Sequence, residues 1–257
     1  MRIFMTQQNS SSQKNNMRTY IGSSILLIYI LLSVPMFGPL ILLCALFPFP
    51  VRYKASTLWI ASVIWLTKIC CGLSYKVEGL ENLPKDQVYI VLSKHQSAWE
   101  TLALRLFLPK QTTVLKRSLT WIPIGGWALS TLKPIAIDRE QPRAALRSLV
   151  EQGCKRLDEG FIVVVFPEGT RAAPGEDLKF NAGGALLAHH SGHPVIPLAH
   201  NAGIFWPRYS FLKYPGTIKV KIGPAIVTQN KKAKDINSEA ETWISQAMKE
   251  ISNSSTL

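Results

Sequence analysis

The chain has 257 residues, 47% of them hydrophobic, enough for one catalytic core with a short appendage and too few for two large domains. Its net charge of +13 points to an anionic partner: nucleic acid, an anionic membrane surface or a phosphorylated ligand. The positive mean hydropathy and an apolar N-terminal third argue against a nucleic-acid surface and fit a lipid one.

Residues 1–19 read as a disordered polar and basic N-terminus, with an Asn/Ser/Gln-rich run at 6–16. Residues 20–49 carry no charge, and at about 1.5 Å per residue they exceed a hydrocarbon core of ~30 Å. No small-x-small cleavage site leads into a secreted domain, so the segment reads as a retained anchor. Pro35, Gly38 and Pro39 are expected to interrupt it, and cations flank both ends: Lys14 and Arg18 before, Arg52 and Lys54 after. Basic flanks on both sides favour two cytoplasmic ends, so a re-entrant hairpin stands beside one kinked span. Residues 58–73, with Trp59, Trp65 and Lys68, read as a second apolar helix lying in the interface, which makes the whole arrangement monotopic. Cys44, Cys70, Cys71 and Cys154 show no zinc-like spacing and read as small apolar residues.

After Gly72 short apolar runs alternate with helical stretches, which predicts an α/β domain over 75–251, following membrane helices over 20–74 and preceding a disordered tail over 252–257. Strands are predicted at 88–92, 113–115, 134–137, 161–166, 195–199 and 218–222, and helices at 98–108, 142–158, 182–190 and 239–251. The run 161–166, Phe-Ile-Val-Val-Val-Phe, is apolar throughout and should be a central strand covered on both faces.

Two constellations stand out. The first, Ser93-Lys94-His95-Gln96-Ser97-Ala98-Trp99-Glu100, leaves a strand and enters a helix, placing His95 where open α/β sheets hold their sites. An imidazole there can take a proton near neutrality, and Glu100 can orient it. Ser97 and Glu100 also spell a capping box, and taken alone the cap is the stronger reading. The second, Phe166-Pro167-Glu168-Gly169-Thr170-Arg171, follows the buried strand. Arg171 can grip a phosphate with its planar fork, or pair with Glu168 on the surface; the residues alone do not choose. Lys116-Arg117, the Trp121 to Trp127 stretch and Ile137-Asp138-Arg139 each read alone as solvated basic surface. No Gly-x-Ser-x-Gly elbow supports a serine hydrolase.

These pieces occur together and in order, and over residues 79–225 the chain resembles the lysophosphatidic acid (1-acylglycerol-3-phosphate) acyltransferase family. Four blocks carry the likeness: His95 with Glu100, where the family usually has Asp; Ile137-Asp138-Arg139; Phe166 to Arg171, the most specific; and Val195-Ile196-Pro197-Leu198. The resemblance implies a mixed, largely parallel sheet flanked by helices, the glycerolipid acyltransferase fold, with an N-terminal membrane-embedded helical hairpin. It implies transfer of a fatty acyl chain from acyl-CoA or acyl carrier protein to lysophosphatidic acid, giving phosphatidic acid, with no metal and no cofactor. By the same resemblance His95 is the base and Glu100 its orienting partner. Lys116, Arg139, Glu168, Gly169, Thr170 and Arg171 form the phosphate site, where Glu168 organises the cations and the Gly169 amide is a candidate oxyanion donor. The expected setting is the cytoplasmic side of a bacterial inner membrane. Alternatives are another lysolipid acceptor, of lyso-ornithine or lysocardiolipin type, and a non-catalytic lipid-binding protein that kept the fold.

Overall fold

The computed structural model describes residues 16–253; most of the stretches expected to be disordered, 1–19 and 252–257, lies outside the described residues, but Met17 to Thr19 already open the first helix and Ser252 and Asn253 close the last, because each continues the helical run beside it. In chain order the elements are α1 (Met17–Leu43), α2 (Phe49–Cys71), β1 (Leu73–Glu78), β2 (Ile90–Ser93), α3 (Trp99–Phe107), β3 (Gln111–Lys116), α4 (Gly125–Ser130), β4 (Ile135–Ile137), α5 (Pro142–Asp158), β5 (Ile162–Val165), α6 (Gly183–Ser191), β6 (Val195–His200), α7 (Ala202–Phe205), β7 (Gly216–Ile222) and α8 (Ala233–Asn253).

The strands form one seven-stranded sheet in the order β1-β7-β6-β2-β5-β3-β4. Only β6 and β7 pair antiparallel, which is the mixed, largely parallel sheet expected from the sequence. The interior strands β2, β5 and β6 are buried at every position, because helices cover both faces. Alternation divides their side chains. Val91, Val164 and Ile196 face a core shared with α2 and α3, while Ile90, Leu92, Val163 and Val165 face α5, α6 and α8. The unpredicted strand β1 lies at the sheet edge beside β7. Its Leu-Ser-Tyr-Lys-Val-Glu sequence alternates polar and apolar residues as an edge strand does, and its first residue had been absorbed into the preceding apolar run.

The N-terminal hairpin departs from the sequence reading in two ways. Helix α1 runs unbroken through Pro35 and Pro39, and the chain reverses later, at the short 3-10 turn Cys44–Leu46. Helix α2 then begins at Phe49, with a proline in its first turn, rather than near Leu58. The helix survives its prolines because neighbours hold both flanks. Leu26 packs with Ile60 and Val63 of α2, Trp59 donates to Ser33 Oγ at 3.0 Å, and Tyr29 and Ser62 share a 2.5 Å hydrogen bond. At Gly22 the helices approach so closely that a Cβ would lie 2.2 Å from the Cys70 carbonyl oxygen. Arg52 is not a free basic flank. It donates to the carbonyls of Ala45 and Phe47, which end the first arm, and to Thr131 at 3.0 Å across the seam with the catalytic domain.

Leu26, Ile60, Val63 and Ile64 belong to the same core cluster as Trp99, Leu104 and the sheet, so the hairpin shares the main core. Its outer side is a continuous apolar surface, including exposed Ile21, Ile25, Ile28, Leu32, Met36 and Trp65.

Candidate functional site

Strands β2, β5, β3 and β4 are neighbours, and all four run parallel. The residues that follow them therefore emerge in a row along one edge of the sheet, about 5 Å apart per strand. That geometry brings His95 (after β2), Glu168 to Arg171 (after β5), Lys116 (at the end of β3) and Arg139 (after β4) to one place, although they span 76 positions of sequence.

His95, Lys116, Arg139, Thr170 and Arg171 line one cleft of about 580 Å³, with Phe166, Trp59, Thr101, Leu102 and Leu129 among its other walls. Deeper in, the cleft meets a smaller apolar cavity of about 150 Å³ at the seam of α1, α2, α3 and α4. Trp59, Leu102, Arg105 and Leu129 line both. A cationic mouth thus leads past an imidazole into an apolar interior.

Glu100 serves both roles weighed from the sequence, and it does so with one atom. Its Oε1 accepts from His95 Nδ1 at 2.8 Å and from the backbone amides of Gln96 at 2.8 Å and Ser97 at 2.7 Å. Its Oε2 is buried with no hydrogen-bond partner among the described residues. The reciprocal half of a capping box is absent, because Ser97 Oγ accepts from Trp99 at 3.1 Å instead. Burial pushes the Glu100 pKa upward, but His200, His95 and the Ser97 amide outweigh it and hold the carboxyl below its ordinary value. An ionised carboxylate only accepts, so Nδ1 of His95 carries the proton and Nε2 keeps the lone pair. The Phe166 ring stacks on the imidazole at 4.2 Å and fixes its plane.

Glu168 stands apart from the cationic set. Its side chain is buried, with Oε1 on Lys94 Nζ at 2.5 Å and Oε2 accepting from the His95 amide at 2.7 Å. Desolvation raises its pKa, with Lys94 opposing. Ala172 donates to the His95 carbonyl at 2.8 Å, so both backbone polar groups of His95 are held by the turn after β5. That turn requires Gly169, whose φ is 69° and where a Cβ would meet Asn181 Nδ2 at 3.0 Å. The Gly169 amide already donates to Phe166 at 3.0 Å, which removes it as an oxyanion donor, while its carbonyl accepts from Arg139 at 2.6 Å. Among the described residues Lys116 has a loose, exposed ion-pair partner in Glu140 at 3.6 Å.

Two buried groups beneath the site escaped the sequence reading. Lys94 is the counter-ion of Glu168; a lysine directly after an all-apolar strand was the available signal. His200 ends the neighbouring strand β6 and is fully buried. Its Nε2 donates to the Lys94 carbonyl at 2.8 Å and its Nδ1 accepts from the Ala202 amide at 3.2 Å, a pattern that only the neutral ring satisfies. Burial lowers its pKa, against the pull of Glu100 and the Lys94 carbonyl.

Glu168→Gln leaves the Lys94 ammonium buried without a counter-charge and should destabilise the fold by about 3–5 kcal/mol, read as a lowered midpoint in denaturant. For His200 the linkage has a definite sign. Between about pH 6.5 and its lower folded pKa, the unfolded chain binds a proton that the folded chain refuses, so stability is lost as pH falls. His200→Gln keeps a donor and an acceptor without titrating. Its denaturation midpoint should fall less than the wild type's between about pH 7 and pH 5, and parallel losses would clear His200 of the effect.

The sequence model of the family described as Acyltransferase matches residues 74–201. A 1-acyl-sn-glycerol-3-phosphate acyltransferase of Pseudomonas aeruginosa is 47% identical over 233 residues, covering 88% of this chain and 90% of that protein. The alpha form from Mus musculus is 29% identical over 178 residues, 68% of this chain and 62% of that one. In fold, the chain matches the crystal structure of the 1-acyl-sn-glycerophosphate (LPA) acyltransferase PlsC from Thermotoga maritima, with a TM-score of 0.77 over 91% of this chain and 96% of that one at 22% identity.

Proposed function

We propose, because this chain belongs to the 1-acyl-sn-glycerol-3-phosphate acyltransferase family, that it transfers a fatty acyl group from a thioester to the free hydroxyl of lysophosphatidic acid at a membrane surface. The observation that carries this reading is the single cleft in which a carboxylate-oriented imidazole, the cations Lys116, Arg139 and Arg171 and an apolar interior meet.

The acceptor's phosphate monoester is held by Arg139, Arg171 and Lys116, with the Thr170 hydroxyl beside them, which sets its free hydroxyl against His95. His95 Nε2 takes the hydroxyl proton as the oxygen forms its bond to the thioester carbonyl carbon. The tetrahedral adduct collapses with cleavage of the carbon–sulfur bond, and the departing thiolate takes up the proton that His95 holds, which restores the neutral imidazole. A thiol of pKa about 8.5 is a far better leaving group than an alcohol, so the step needs no covalent enzyme intermediate. Glu100 stabilises the imidazolium formed on the way, while Glu168 acts through Lys94 and the His95 backbone as a positioning residue. The acyl chain lies in the apolar end of the cleft, between Leu102, Leu129 and the hairpin.

The hairpin lies along the membrane surface with the cleft beside the cytoplasmic leaflet, where acyl-CoA or acyl carrier protein delivers the thioester. Contact with the catalytic domain runs from Ser23, which accepts from the Lys213 amide, to Ile41, packed against Ala128 and Leu132. Those points are about 27 Å apart along α1, nearly a full hydrocarbon thickness. An upright α1 would drag the flank of the catalytic domain through the bilayer; an in-plane α1 leaves it outside.

Wild-type protein given acyl-CoA or acyl carrier protein with lysophosphatidic acid should release free thiol, and His95→Ala should abolish it; retained release would remove the base assignment. In Glu100→Gln the amide oxygen can still accept from Gln96 and Ser97, so the fold should survive while the rate falls on the order of 10²-fold or more. A loss of stability at normal rate would assign Glu100 to capping alone. Arg171→Ala should raise KM for the acceptor with a smaller effect on kcat, and an unchanged KM would take Arg171 out of the phosphate site.

A further inference from the structure

Two segments outside the hairpin present open aromatic surface at the cleft mouth. The first joins β3 to α4. Its 3-10 turn, Arg117–Trp121, buries none of its residues; Trp121 is 69% exposed, Trp127 is 50% exposed, and Leu119 and Ile122 stand open beside them. The second follows α7, where Tyr209 is 87% exposed and Phe211 also faces outward. Leu119, Gly125 and Tyr209 themselves form part of the cleft wall.

The first segment is built to hold this shape. Gly126 donates to Ile122 at 2.9 Å, Ile124 is held at φ 62°, and a Cβ on Gly126 would sit 2.3 Å from the Leu119 carbonyl oxygen. The closed turn leaves Trp121 and Ile122 nowhere to fold inward. Both segments also seat on α1: Ile124 Cγ2 lies against Gly38, Val34 lies against Gly125, and the Lys213 amide bonds Ser23 Oγ. Their apolar surface thus continues the lipid-facing side of the hairpin. Arg117 accompanies the first, next to Lys116 at the cleft mouth; in the second, Arg208 pairs with Glu176 at 3.2 Å and the Lys213 ammonium caps the Ser210 and Phe211 carbonyls, so the cation offered to headgroups comes mainly from the first. Tryptophan and tyrosine flanked by lysine and arginine are the side chains that settle at a bilayer's headgroup level.

We infer that these two segments enter the headgroup layer of an anionic leaflet beside the hairpin. They thereby set the depth at which the cleft mouth meets the leaflet. The consequence for acyl transfer rests on the function proposed above; the insertion itself rests on the surface alone.

Two experiments on the full-length protein separate these. In the first, protein bound to phosphatidylglycerol vesicles carrying bromine near the headgroup end of the acyl chains is compared with the pair Trp121→Phe/Trp127→Phe, which keeps the apolar surface. If both tryptophans sit in lipid, removing them lowers the fractional quenching of the remaining fluorescence. If they sit in water, removing them raises it, and the inference fails whatever the enzyme acts on. In the second, Trp121→Ser/Trp127→Ser is assayed by thiol release. The pair should lose about tenfold or more on vesicle-embedded lysophosphatidic acid and keep its rate on a short-chain, monomeric one, since neither tryptophan lines the cleft. Equal rates on vesicles would overturn the part assigned to these segments in presenting the cleft to the leaflet. A wild type inactive on both acceptors would count against the proposed function and leave the quenching result standing.

Discussion

Everything at the sheet edge depends on one buried carboxylate. Glu168 reaches from the turn after β5 to the loop after β2, taking the Lys94 ammonium on one oxygen and the His95 amide on the other. The pair is costly to bury, and its retention is justified by what it specifies: the loop carrying the imidazole cannot shift without breaking a charge-assisted contact in a low-dielectric place. Because Gly169 and Arg171 belong to the same turn, this contact also fixes the cations relative to the base. The glutamate in the second motif is therefore an organiser of geometry, and a second carboxylate at the mouth would have repelled a phosphate.

Beneath that clasp lies a second tier. His200 supports the Lys94 carbonyl, and Gln96 Oε1 accepts from Gly203 at 3.3 Å, so β6 and the start of α7 brace the loop from below. Glu100 closes it from the helix side with three donors converging on one oxygen. His95 is thus immobilised through its backbone, its ring face and its Nδ1, leaving Nε2 without a hydrogen-bond partner among the described residues. A group fixed in that manner loses little freedom on reaching the transition state, the structural content of preorganisation.

Much of this was legible in the sequence because the relevant signals are local. Apolar runs bounded by turn residues located β2 to β7, and the period of α5 gave its span to the residue. The His95 and Arg171 motifs were visible as charged groups directly after buried strands. What sequence hid was every relation set by contact between distant segments. The choice between cap and orienting partner at Glu100 had no resolution from spacing, since one oxygen does both. Lys94 drew no assignment from sequence, because its counter-ion Glu168 lies 74 residues away. Pro35 and Pro39 read as a break because local propensity disfavours them inside a helix, and packing against α2 and α4 overrode that preference. Strand β1 was missed because its partner, β7, lies some 140 residues away.

The hairpin raises a final point about coupling. Apolar packing is non-directional and would let α1 and α2 slide over the catalytic domain; directional polar contacts at the seam prevent it. Tyr53 Oη accepts from the Gln111 amide at 2.8 Å, Arg52 donates to the Thr131 carbonyl, and Arg105 donates to Ser56 Oγ at 2.7 Å while stacking over the Tyr53 ring at 4.6 Å. Three bonds within the first two turns of α2 thereby set which residues of α1 reach the cavity, namely Val34, Phe37, Gly38 and Ile41. The segment that meets lipid is also a wall of the chamber that receives the acyl chain. Membrane seating and pocket shape are consequently one structural variable, and a shift of the hairpin that loosened its grip on the bilayer would reshape the apolar end of the cleft as well.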